Sequence, residues 1–146
     1  MVSSGSELPR FGKPPVVETV LGVFFRPIEK LNSAYLGVMW QKYFREAFPR
    51  VEELPPIEEL PERFGAEVWG DQGAALRWEI RDRPATPRVW AASEAGEAVI
   101  QLQKNAFFAN WVKKGHETLY PPYVQRREKF FAQLSLVDQF IHTELG

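Results

Sequence analysis

From Val16 to Phe25 the chain reads VVETVLGVFF, a β-branched and aromatic run. In extended form it places Val17, Leu21, Val23 and Phe25 on one side and Glu18 and Gly22 on the other, the pattern of a first strand. The period then changes. In NSAYLGVMWQKYFREAFP, Leu36, Met39, Trp40, Tyr43, Phe44 and Ala47 recur at steps of three and four, which gives a helix one apolar stripe. Asn32 or Ser33 is suited to cap its free N–H groups, and Pro49 closes it.

Residues 50–62 carry five Glu, one Arg and three Pro, which predicts an extended acidic connection and neither a helix nor a central strand. ALRWEIRD then alternates, with Leu76, Trp78 and Ile80 opposite Arg77, Glu79 and Arg81, as a half-exposed strand would. RVWAAS and AVIQLQ flank the Gly-containing turn EAGE, and AFFANWVK follows Lys104-Asn105, a pair able to take positive φ. This is a three-strand meander. A long second helix is expected over the last two dozen residues, with Val124, Phe130 or Phe131, Leu134, Val137 and Ile141 at helical spacing. Its apolar residues, Leu136 and Phe140 included, cover more than one stripe, so the helix calls for a second partner besides its own sheet.

The order strand, helix, three or four antiparallel strands, helix predicts an α+β two-layer sandwich with both helices on one face of the sheet. Residues 1–13, rich in Ser, Gly and Pro, read as a flexible lead-in, and 14–146 as a single domain. A chain of 146 residues is long enough to bury a real core.

Charge and composition narrow the function classes. A net charge of -1 supplies no global field to attract polyanions or an anionic membrane surface. No apolar run approaches the length of a membrane span, and the first residues lack a basic stretch followed by an apolar one, so a cytoplasmic location is expected. Without cysteine there is no disulfide framework and no thiolate nucleophile or ligand. His116 and His142 match no metal-ligand spacing, and no phosphate-cradling glycine loop or nucleophile elbow occurs, so neither metal nor cofactor is expected.

Among carboxylates, Glu18 stands out because it sits in an otherwise apolar strand, although an outward residue on a solvated face explains it as well. Residues 99–123 combine amides (Gln101, Gln103, Asn110), aromatics (Phe107, Trp111) and cations (Lys113, Lys114). That mixture suits either cross-strand pairing in a hairpin or the stacking of single-stranded bases. Opposed patches, basic at Lys113, Lys114, Arg126, Arg127 and Lys129 and acidic at Glu52, Glu53, Glu58, Glu59 and Glu62, are suited to contact within one molecule, between copies or with a partner protein, or simply to a solvated surface.

Several phrases also carry a resemblance: PPVVE at 14–18, LGV at 21–23, Leu36-Gly37 with Trp40, Phe48-Pro49, QLQ at 101–103, Asn110-Trp111 and Tyr120-Pro121. With these the chain resembles the N-terminal part of a sporadically distributed, uncharacterised bacterial protein family whose members are longer. The resemblance implies no activity, cofactor or catalytic residue. It departs at Asn105-Ala106, where members carry an acid and then Arg, and at Val112, where members carry Arg.

The expected function is a non-enzymatic protein-interaction domain that binds a protein partner or another copy of itself. Its surface would draw on Glu18, Trp40, Trp78, Gln101, Gln103, Asn110, Trp111, Phe131 and Phe140. The alternatives are a small enzyme or small-molecule binder with a helix–sheet pocket lined by Glu18, Trp40, Trp78 or Trp111, and a weak single-stranded nucleic-acid binder using Phe107, Trp111, Lys113 and Lys114.

Overall fold

In a computed structural model, residues 15–59, 85–116 and 118–146 are described. Strand β1 (Glu18–Phe24) leads to helix α1 (Ser33–Met39), which continues through a wider turn, Trp40–Phe44. Strands β2 (Arg50–Leu54), β3 (Arg88–Ala92), β4 (Ala98–Gln103) and β5 (Ala106–Val112) follow, and helix α2 (Tyr123–Phe140) continues through Ile141–Leu145. The strands form one antiparallel sheet in the order β1-β5-β4-β3-β2. The α+β class, the antiparallel sheet and the order of strands and helices are those the pattern predicts.

Alternation assigns the two faces. Leu21 and Val23 in β1, Phe107 and Ala109 in β5, Ile100 and Leu102 in β4, and Val89 and Ala91 in β3 all join one core. Leu36, Met39 and Phe44 from α1, with Phe130, Val137 and Phe140 from α2, complete it, so both helices lie on one face. Phe107, which is 0% exposed, stacks between Phe44 at 6.3 Å and Phe130 at 5.5 Å and so ties both helices to the sheet. Asn32 is the cap of α1, its side chain accepting from the Tyr35 N–H at 3.1 Å.

Three local expectations change. The helix stops at Phe44, leaving Ala47 exposed on the turn that leads to β2. Residues 50–54 are a true strand, because an outer strand makes only one ladder and tolerates the charges of Arg50, Glu52 and Glu53, all three of which are exposed. Lys104 and Asn105 do not take positive φ; among the described residues only Gly96 and Gly146 do. The Lys104 and Asn105 carbonyls are instead held by the N–H groups of Ile28 and Phe25, both at 2.9 Å, as the chain leaves β1. Gly96, at φ 74°, makes the turn between β3 and β4, where a side chain would be strained. The strand expected at 75–82 lies outside the described residues.

Gly22 is required by close packing on the other face. A Cβ there would lie 2.2 Å from Cδ1 of Phe108, whose ring meets Phe24 edge-on at 5.3 Å. Gly22→Ala is expected to cost about 1–3 kcal/mol through overpacking, read as a lowered midpoint in thermal unfolding. In a Phe108→Ala background the same change should cost close to nothing, because the ring that it strikes is gone.

Candidate functional site

The face of the sheet away from the helices carries most of the amides singled out in the sequence. Asn110 donates from Nδ2 to Glu18 Oε1 at 2.8 Å and accepts from Gln101 Nε2 at 3.0 Å, so three strands share one polar chain. Gln103, only 2% exposed, clamps the backbone of Ile57 from both sides, accepting its N–H and donating to its carbonyl at 2.9 Å. A third bond runs from Gln103 Nε2 to Asn105 Oδ1 at 2.6 Å. Each of these groups is occupied by its neighbours, which is the work of a buried polar group that holds a loop to a sheet.

The remaining named residues divide. Trp40 donates from Nε1 to the Phe48 carbonyl at 2.9 Å and ties the end of α1 to the turn after it. Phe140 is core. Trp111 is buried, edge-on to Tyr120 at 5.2 Å, and Phe107 is sealed inside, so neither offers an open ring face to a base. Trp78 and Glu62 lie outside the described residues. Phe131 is different: it is 57% exposed.

Two concavities flank α2. The smaller, about 260 Å³, lies between α2 and the sheet, with Trp111 and Ala109 on one wall and Gln125, Arg126, Lys129 and Gln133 on the other. Of the tryptophans and the glutamate expected to line a helix–sheet pocket, Trp111 does, whereas Glu18 and Trp40 sit elsewhere. Arg126 is partly committed: it donates to the Thr19 hydroxyl, to the Thr19 carbonyl at 3.2 Å and to the Ala109 carbonyl at 3.4 Å, which fixes the start of α2 above β1 and β5.

The larger concavity, about 570 Å³, is an apolar groove between the end of β1 and the outer side of α2. Val23, Phe25 and Ile28 form one wall, and Phe131, Leu134 and Ile141 the other, with Arg26 and Asp138 as its charged members. It opens beside β1, whose outer edge pairs with no strand among the described residues. The two sheet edges contrast. Edge strand β2 carries Arg50, Glu52 and Glu53, the charges that discourage a new strand from adding, while β1 carries only Glu18.

Charge plays a small part here. The Glu144 carboxylate accepts from Lys42 at 2.8 Å, joining the far ends of the two helices and holding the lysine above its ordinary pKa, but this pair is exposed. Burial moves Arg88 below its ordinary value. Among the described residues no three His, Asp or Glu side chains gather as a metal ion would require, and no helix is long and apolar enough to cross a membrane.

Comparison with protein-family models, with curated proteins and with solved structures found no match.

Removing the clamp should be costly. Gln103→Ala leaves the Ile57 N–H and carbonyl without partners and is expected to destabilise by about 1–3 kcal/mol, measured by urea unfolding. Asn110→Ala, whose contact with Glu18 is exposed, should cost less.

Proposed function

We propose that the chain is a non-enzymatic protein-interaction domain that associates with a second copy of itself through the outer face of α2 and the groove beside β1. The observation that carries this reading is Phe131, a large aromatic side chain 57% exposed on the rim of an apolar groove of about 570 Å³. Val124, 43% exposed on the same helix, extends the apolar surface. An exposed aromatic ring on an apolar groove, next to a sheet edge whose one charge is Glu18, is the kind of surface that protein interfaces use.

The protein is expected to run as a dimer at tens of micromolar in size-exclusion chromatography with light scattering. Phe131→Glu should give a monomer with the wild-type circular dichroism spectrum and a thermal midpoint that, unlike the wild type's, does not rise with protein concentration. A monomer in both cases would remove the proposal.

The smaller cavity supports a second reading, binding of a small carboxylate. Its wall offers Gln125, Arg126, Lys129 and Gln133 and, among the described residues, no acidic side chain, next to the ring of Trp111. An aromatic carboxylate such as benzoate should then raise the thermal midpoint in a dose-dependent way, and Gln133→Leu should abolish the rise.

A further inference from the structure

The two apolar faces of α2 are related by a single residue step. Phe130, Gln133, Val137 and Phe140 are buried on the sheet side. The next residue after each, Phe131, Leu134, Asp138 and Ile141, lies about 100° further round the helix. Extended toward the N-terminus, this second row reads Val124, Arg127, Phe131, Leu134, Asp138, Ile141, with steps of three, four, three, four and three. That is an unbroken heptad seam, which two helices use to pack along each other. Its members are exposed or half-buried, and four of them border or line the groove.

The order of side chains within the seam also reads symmetrically. Laid against a copy of itself in the opposite direction about a point between Ala132 and Gln133, Val124 meets Ile141, Arg127 meets Asp138, and Phe131 meets Leu134. Each apolar residue then faces an apolar residue and each charge its opposite, twice over, as a two-fold interface demands. A parallel pairing would set Arg127 on Arg127 and Asp138 on Asp138. Among the described residues of one chain, Asp138 has the exposed His142 beside it, at 3.4 Å, and Arg26 on the opposite wall of the groove.

A second observation places the same axis. Arg126 is anchored on Thr19, and α2 runs in the same sense as β1, since its later residues share the groove with Val23 and Phe25. From Arg126 to the centre of the seam is about 10 Å at a rise of about 1.5 Å per residue, or about three residues of strand at about 3.3 Å each. Counted from Thr19, that reaches Gly22, next to Leu21 at the middle of β1. An axis through the seam therefore passes close to the middle of β1, whose outer edge pairs with no strand among the described residues and where β1 would meet its copy antiparallel.

We infer that the second copy binds by antiparallel pairing of α2 with its symmetry mate, with Arg127 of each chain on Asp138 of the other and Phe131 entering the other chain's groove. The inference rests on the self-association proposed above and adds its register and its charge code. It is tested by charge reversal read by native mass spectrometry on the full chain. Arg127→Asp alone and Asp138→Arg alone each set like charges together and should weaken the dimer by at least about tenfold. An equimolar mixture of the two variants should form a dimer with one chain of each, and the double variant should recover the wild-type dimer. Wild-type dimerisation that neither single variant weakens would overturn the register and leave self-association through another surface. Weakened single variants that do not complement each other would overturn it equally, and a monomeric wild type would remove both inferences. Should a reversed chain fail to fold, Arg127→Gln and Asp138→Asn provide the same comparison, each expected to weaken the dimer several-fold.

Discussion

The structure turns on the ring of Phe107. It comes from β5, next to the centre of the sheet, and is stacked between Phe44 at the end of α1 and Phe130 on α2, with no exposure of its own. Three aromatic side chains in register bring together segments far apart in sequence, and a truncation of Phe107 would leave a cavity under both helices at a cost of about 3–5 kcal/mol. Once Phe130 is committed to this stack, the rotation of α2 about its axis is set. Phe131, one residue on, cannot then also face the sheet; it and Asp138 turn outward, while Leu134 and Ile141 on the same row are half-buried at the margin of the core.

The outward seam is thus a consequence of the core and not an independent decoration. The arrangement is a helix with two jobs. One face satisfies the layer beneath it, and the other presents an apolar row beside β1, the sheet edge that lacks the charges found on β2. The amides on the opposite side of the sheet serve a different end: Gln101, Gln103 and Asn110 are occupied in binding strands and the 55–59 segment together. Polar residues that sit in a hairpin beside aromatics are here a structural ladder, and the apolar groove lies on the opposite side of the sheet, beside α2.

Much of this was legible in the sequence, for identifiable reasons. The alternation in β1, β4 and β5 and the excess of apolar positions on α2 are periodic signals that tertiary packing reinforces. So was the turn at Gly96, where chemistry and conformation coincide. Strand β2 was not, because its Glu and the prolines after it have the composition of a loop, and only its position at the sheet edge makes a strand of RVEEL. The roles of Trp40 and Glu18 were not legible either: a carbonyl partner eight residues away and an amide from β5 are tertiary facts. Nor did helical spacing alone decide between Phe130 and Phe131, since either fits an apolar stripe; the stack on Phe107 makes that choice.

The central claim is that the outer seam of α2 meets its own copy antiparallel, with the axis beside Ala132. Because the chain has no cysteine, a single nitroxide can be placed at Ala132→Cys or at Gln139→Cys, both exposed, and the separation between the two labels in a dimer measured by electron paramagnetic resonance. The antiparallel seam predicts a short separation for labels at 132. At 139 it predicts a clearly longer one, the two sites being offset by about 20 Å along the helix axis. Equal separations at the two positions would indicate a parallel pairing, and the absence of any coupling between labels would indicate no pairing at this face; either result contradicts the account.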